Sequence, residues 1–410
     1  VIEMNRVVVT GLGAITPVGN NIATMWENLV AGRHGIGPIT KFDCTDFKSK
    51  LAAEVKNFNP LDYMEKGDAR RSDLYTQYAM AAAAQAVTES GIVGTVEPER
   101  LAVSFGSGIG GILTLTEEHS KLLAGGPRKV SPLFVPMMIS NIAAGNIAIK
   151  YQAKGSCICV VTACATGSNA IGEAFRAIRH GYADAVITGG SEAAVMPLSI
   201  AGFQNMTALT TSADPDCASL PFDKRRGGFV MGEGAGAMIL EEYEHAKARG
   251  ARIYAEVVGY GSTCDAHHIT APDPDAESSA RAISDAIREA GETPGTIYIN
   301  AHGTGTPLND ASETLAIKKA FGDKLGDVLV SSTKSMTGHM LGAAGAVEAI
   351  ISVLSLDTGM VPPTVGLTEP DPECDLDYVP LTARKADPTL AFSVSIGFGG
   401  HNACIAFRKI

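Results

Sequence analysis

Short β-branched runs alternate with helix-like stretches from one end of this chain to the other, and no low-complexity linker interrupts them. Strand-like runs fall at residues 7–10, 101–105, 158–161 and 185–188. Others fall at 253–259, 297–300, 328–331, 392–396 and 403–407. Such alternation predicts α/β layers built on mixed sheets. A charged helix over 241–249 stops before Gly250, and a strand restarts at Ile253. That places a boundary between 1–250 and 251–410. With 410 residues, 45% of them hydrophobic, the chain can bury one large core or two joined ones.

Three segments carry chemistry. Cys164 lies in Val-Val-Thr-Ala-Cys-Ala-Thr-Gly (160–167), between a strand-like run and a helix whose apolar face is Ile171, Ala174, Phe175 and Ile178. A thiol at a helix N-terminus feels the positive end of the dipole and free N–H groups, which favour the attacking thiolate. A buried structural cysteine fits the same local pattern. The second segment, Ile-Asn-Ala-His-Gly-Thr-Gly-Thr-Pro-Leu-Asn-Asp (299–310), leaves a strand and presents His302 in a loop of small residues. The third, residues 331–349, presents Lys334 and His339 before a Gly/Ala-rich helix. One loop histidine is commonly a local hydrogen-bonding residue. Two at strand ends, beside a cysteine in the same setting, point to a reactive centre. The Cys164 and Gly338 segments also echo each other, each running from a strand into a small-residue helix.

Together these segments resemble the β-ketoacyl synthases, the decarboxylating condensing enzymes of fatty-acid synthesis. The likeness runs from Arg-Val-Val-Val-Thr-Gly-Leu-Gly (6–13) to Gly-Phe-Gly-Gly-His-Asn (397–402). Thr-Ala-Cys-Ala-Thr-Gly (162–167), Thr-Lys-Ser-Met-Thr-Gly-His (333–339), Val-Pro-Pro-Thr (361–364) and Cys-Asp-Leu-Asp-Tyr-Val-Pro (374–380) are similar to the type II, acyl-carrier-protein-dependent subgroup. The resemblance implies a thiolase fold, two similar halves in five layers α-β-α-β-α, with the cysteine in the first half and both histidines in the second. It implies a homodimer and an acidic partner, the acyl carrier protein. Cys164 would take the acyl chain, and His302 and His339 would stabilise the enolate of a decarboxylating malonyl thioester. The N–H groups of Cys164 and Phe398 would form the oxyanion hole. Lys334 would hold His339 neutral, and Glu348 would pair with Lys334, since a buried carboxylate needs a partner. Thr304 and Thr306 would bind the malonyl carrier arm, and Asp310 would order their loop. Ile109, Met138, Phe203, Ile396 and Phe398 would shape or gate the acyl tunnel; core packing explains the same residues equally well.

Net charge is −11, against a nucleic-acid partner. Lys66, Arg70, Arg71, Arg128 and Lys129 form local basic patches. They read as solvated charges or, under the resemblance, as carrier-protein docking sites. No run reaches the roughly 18 uncharged apolar residues of a membrane helix, and no signal-peptide pattern appears. The eight cysteines form no C-x-x-C pair. Cys157 and Cys159 read as core packing rather than as metal ligands, and a reducing cytoplasm is the simplest compartment. No cofactor or metal is called for. Val1-Ile2-Glu3 before Met4 reads as a non-native remnant.

Two departures stand out. The family often has Asn-Ser-Phe before Gly-Phe-Gly-Gly; here it is Val394-Ser395-Ile396, which removes a ligand of a monovalent-cation site and an aromatic tunnel wall. Four rival readings follow. A ketosynthase of a type II polyketide system would share the same residues. A non-catalytic chain-length partner would lack Cys164. A cysteine hydrolase would explain neither the second histidine nor Lys334. A dinucleotide-binding loop at Gly106-Ser107-Gly108-Ile109-Gly110-Gly111 has the glycines, but no convincing helix start or acidic partner after it.

Overall fold

The computed structural model describes residues 4–291 and 294–410, so Val1-Ile2-Glu3 lies outside the described residues. Ten strands form the main sheet. The N-terminal half supplies β1 (Val7–Ile15), β2 (Leu101–Gly106), β3 (Cys157–Ile158), β4 (Ala185–Glu192) and β5 (Gly234–Glu242). The C-terminal half supplies β6 (Ala255–Cys264), β7 (Ile297–Asn300), β8 (Val328–Ser331), β9 (Leu390–Gly397) and β10 (His401–Arg408). The order is β3-β2-β4-β5-β1-β6-β10-β9-β7-β8. Read outward from the centre, each half has its first strand, then fifth, fourth, second and third. In each, the first two pairings are antiparallel and the last two parallel. The half-sheets join antiparallel where Val7, Val8 and Val9 meet Val257, Glu256 and Ala255.

The helices repeat the same plan. α1 (Leu74–Ser90) covers β1, and α3 (Glu277–Ala290) covers β6. Both approach their strand over paired glycines. A Cβ at Gly11 or Gly13 would stand 2.3 or 2.0 Å from a backbone oxygen of Ala86 or Ala82, and one at Gly259 or Gly261 would stand 2.3 or 1.8 Å from that of Ala286 or Ala282. Gly-x-Gly on each first strand is therefore what lets the outer helix lie on it.

α2 (Thr166–Arg179) and α5 (Ala344–Thr358) form the middle layer. Ile171, Phe175, Val347 and Ile350 share one core with Val9 and Leu240 of the first half-sheet and Ile405 and Phe407 of the second. Separate outer cores lie under α1 and under α3 with α4 (Pro307–Phe321). The result is α-β-α-β-α. α5 is buried nearly all round; Ile350→Ala would cost about 2–5 kcal/mol. The stretch Leu341–Thr358 has the length and hydropathy to cross a membrane, yet 89% of it is buried between the half-sheets.

Three expectations change. The strand expected at 158–161 shortens to Cys157–Ile158, because it is an edge strand paired only with Val103 and Ser104 before the chain turns into α2. Cys157 is exposed and Cys159 half-buried, so neither is a core residue. A helix does start directly after Gly111, at Ile112. Sequence reading also missed β5, whose Gly-Ala-Gly-Ala opening lacks β-branched residues.

Candidate active site

A short turn leads into each middle helix. In the first half Ala163 has φ of 51° and Ala163–Ala165 form a single 3₁₀ turn before α2. In the second, Leu341 has φ of 47° and Leu341–Ala343 do the same before α5. Non-glycine residues at positive φ carry strain that packing must hold, and such strain concentrates at functional sites. Cys164 occupies the middle of the first turn and Gly342 the middle of the second.

Cys164, His302 and His339 line one cavity of about 430 Å³. His302 follows β7, and its place is set by a group that sequence reading missed. The buried Glu313 carboxylate on α4 accepts the N–H of His302 (2.6 Å) and of Gly303 (2.7 Å). The available signal was Asp310 and Glu313 three apart on a helix, which puts two carboxylates on one face. His339 is fixed by backbone bonds, its N–H to Val230 (2.7 Å) and its carbonyl from Gly232 (2.8 Å). The two imidazoles stand 5.3 Å apart, nearly perpendicular, and Phe229 packs edge-on against His339.

Burial, reinforced by the Lys334 charge, holds both imidazoles well below the usual histidine range. Both are therefore neutral near pH 7. Lys334 and Glu348 form a buried ion pair, each about 1% exposed. Burial pushes the Cys164 thiol up to about 12. Lys334 and the N–H of Phe398, which faces the sulfur, oppose that rise, while Glu192 and Glu348 add to it. The helix terminus pulls the other way, toward the attacking thiolate; with Cys164 only 7% exposed, desolvation is the largest influence on the thiol. Gly397 keeps the space over the turn open, since a Cβ there would lie 3.2 Å from the Cys164 nitrogen.

The remaining predicted residues divide. Phe203, Ile396 and Phe398 line the cavity, as do Thr304 and Thr306, whose hydroxyls lie 2.9 Å apart. Asp310 accepts from Phe222 and Gly305 N–H groups and faces Arg226 at 3.7 Å, so it braces the loop. Ile109 and Met138 do not line this cavity. They lie where the 106–111 loop meets the 134–140 segment, and Gly111 N–H bonds the Met138 carbonyl there. Lys66, Arg70, Arg71, Arg128 and Lys129 are exposed, form no ion pair among the described residues, and lie outside the cavity lining.

Val394 packs in the C-terminal core and offers no oxygen. Asn300 Oδ1, Ser393 Oγ and Glu348 Oε2 are nevertheless buried without hydrogen-bond partners, and Asn300 and Ser393 are register partners on β7 and β9. Hard oxygens of this kind are the donor type that suits a hard cation. No group of three His, Cys, Asp or Glu residues able to hold a metal occurs among the described residues.

Residues 4–246 match the family described as "Beta-ketoacyl synthase, N-terminal domain", and 254–368 match its C-terminal domain. A 3-oxoacyl-[acyl-carrier-protein] synthase 2 of Synechocystis sp. is 51% identical, with 100% of this chain and 99% of the relative covered. One from Staphylococcus aureus is 51% identical, with 99% of each covered. Among solved structures, the ketosynthase of a type II polyketide system, in complex with its acyl-carrier protein, matches with a TM-score of 0.92 at 35% identity over 100% of both chains. A β-ketoacyl synthase from Burkholderia phymatum matches with a TM-score of 0.92 at 34% identity over 99% of this chain and 100% of that one.

Proposed function

The chain belongs to the β-ketoacyl synthase family, and from that premise we propose how its residues divide the condensation. The enzyme is a condensing acyltransferase of fatty-acid elongation with a thiolase fold. The observation that carries the residue assignment is one cavity lined by a buried cysteine and two neutral histidines.

Cys164 sulfur attacks the carbonyl of an acyl thioester on the carrier protein. Its thiol proton passes to the departing carrier thiol, and the acyl chain rests on Cys164. A resting thiol pushed to about 12 means that the proton leaves only as the new bond forms. Malonyl thioester then binds, with Thr304 and Thr306 along its arm. Its carboxylate leaves as CO₂, and the electron pair of the broken C–C bond becomes an enolate. Neutral His302 and His339 donate hydrogen bonds to the enolate oxygen; preorganised donors of this kind contribute about 10²–10³ in rate each. The enolate carbon attacks the Cys164 thioester. The tetrahedral oxyanion takes the N–H groups of Cys164 and Phe398, and collapse expels the thiolate. Lys334, paired with Glu348, keeps both histidines neutral.

The polyketide alternative has weaker support: 35% identity to that ketosynthase against 51% to the fatty-acid relatives. The carrier protein would dock through Lys66, Arg70, Arg71, Arg128 and Lys129, basic residues on an acidic enzyme that attract an acidic partner. A homodimer is supported by the open edge of β3, flanked by exposed Ile158, Val161, Val135 and Ile149. The test is incubation with a medium-chain acyl carrier protein and malonyl carrier protein, with products identified by mass. An acyl chain extended by two carbons supports the reading. Free fatty acid without extension indicates a hydrolase and overturns it.

A further inference from the structure

β4 and β9 occupy the same place in their halves, and both are eight residues long. β9 ends in Gly397, which leaves the Cys164 turn open. β4 ends in Glu192, which closes the Gly342 turn. The Glu192 carboxylate is fully buried and accepts four hydrogen bonds. One oxygen takes the N–H of Gly342 (3.0 Å) and of Gly108 (2.9 Å); the other takes Ser107 Oγ (3.0 Å) and the N–H of Ile109 (3.2 Å). Ser107 Oγ in turn accepts the N–H of Gly110 (3.0 Å). The glycine-rich loop thus spends its N–H groups on an internal carboxylate rather than on a phosphate. It is wedged between the two turns: a Cβ on Gly108 would stand 3.4 Å from the Ala163 oxygen and 3.5 Å from the Gly342 nitrogen.

We propose that Glu192 is a positioning residue: it occupies the Gly342 turn, the second half's counterpart of the Cys164 turn, and thereby anchors the 107–110 loop, with Ile109, beside the Cys164 turn. The consequence for specificity rests on the proposed function, with Ile109 gating the acyl tunnel as the resemblance implies; the cavity lined by Cys164 ends before that residue. An amide in place of the carboxylate cannot serve both donor pairs. In Glu192→Gln the amide oxygen keeps Gly108 and Gly342. The amide NH₂ then faces Ser107, whose hydroxyl can turn to accept, and the Ile109 N–H loses its acceptor. The loop loosens at Ile109 while the turn after His339 stays held.

The experiment measures kcat/KM for long- and short-chain acyl carrier proteins, together with malonyl decarboxylation, in wild type, Glu192→Gln and Ser107→Ala. An orphaned buried N–H shifts such a loop equilibrium by about tenfold. The expected result is therefore a rise of that order in the long-to-short ratio in both variants, with decarboxylation within about twofold of wild type. Ser107→Ala removes the loop-side anchor alone and keeps the test intact if Glu192→Gln folds poorly. A proportional loss at every chain length with a lowered Tm, or an unchanged ratio in both variants, overturns the inference. Failure of wild type to condense would overturn the functional reading instead.

Discussion

In the N-terminal half the strained turn before the middle helix carries Cys164 and opens on a cavity. In the C-terminal half the matching turn carries Gly342 and is stopped by Glu192. Strand order, pairing sense, the Gly-x-Gly seat of the outer helix and the positive φ that opens the turn are the same in both. What differs is the residue in the middle of the turn and the residue ending the fourth strand. A repeated architecture thus supplies two turns of similar shape. Under the proposed function one carries the nucleophile, while the other is closed by Glu192 and lends only its neighbouring segment, with Lys334 and His339, to the first.

The sharpest way to break this comparison is to move the nucleophile. Cys164→Ala should abolish condensation by about 10⁴-fold or more while malonyl decarboxylation persists. Adding Gly342→Cys should restore nothing, because Glu192 stands on that turn. Product mass and released CO₂ report the two steps separately, and recovery of condensation in the double variant would refute the asymmetry. The next test gives the open site a side chain. In Gly397→Ala the new Cβ meets the Thr162 oxygen at 2.8 Å and the Cys164 nitrogen at 3.2 Å. Both are backbone atoms, so the turn must move, and condensation should fall about 10²–10³-fold, the loss seen when one oxyanion donor is removed. Decarboxylation should hold. His302→Ala and His339→Ala should do the reverse, each lowering decarboxylation by about 10²–10³. Because both imidazoles titrate well below 6.5, wild-type decarboxylation should show no acid limb at pH 6. Lys334→Met leaves the Glu348 charge buried alone and should cost about 3–5 kcal/mol, read as a lower denaturant midpoint. Lys334→Met combined with Glu348→Leu should recover most of that stability.

Much of this was legible in the sequence, for physical reasons. Cys164, His302, Lys334 and His339 sit where strands end in small-residue loops, a pattern that marks reach toward a ligand whatever the fold. Lys334 and Glu348 could be paired because a carboxylate among Ala and Val needs a cation. Glu192 and Glu313 were not legible. Their partners are backbone N–H groups brought from other segments, and sequence shows no mark for that. The state of the Cys164 thiol was only half legible for a related reason. Helix polarity can be read from local sequence, but the depth of burial that opposes it cannot. Ile109 and Met138 were placed in the tunnel by resemblance, and the cavity stops short of them.

The smallest expected effect compares the buried carboxylates with the buried histidines. Burial pushes Glu192 and Glu313 up to about 7, from an ordinary value near 4.5. Their contribution to stability is whole below about 4.5 and is lost as pH rises toward 7, since the unfolded chain ionises first. The histidines act in the opposite sense. The unfolded chain binds protons below 6.5 and the folded one does not, so their contribution is lost as pH falls through 6.5. The two trends partly cancel in wild type between pH 5 and 7. Glu313→Gln removes one of these carboxylates and keeps both histidines. Its stability should therefore rise more steeply than wild type from pH 5 to 7, by about 1–3 kcal/mol across the interval. Denaturant midpoints at the two pH values measure this. Parallel profiles for variant and wild type would mean that Glu313 is already ionised throughout, with its bonds to His302 and Gly303 outweighing burial.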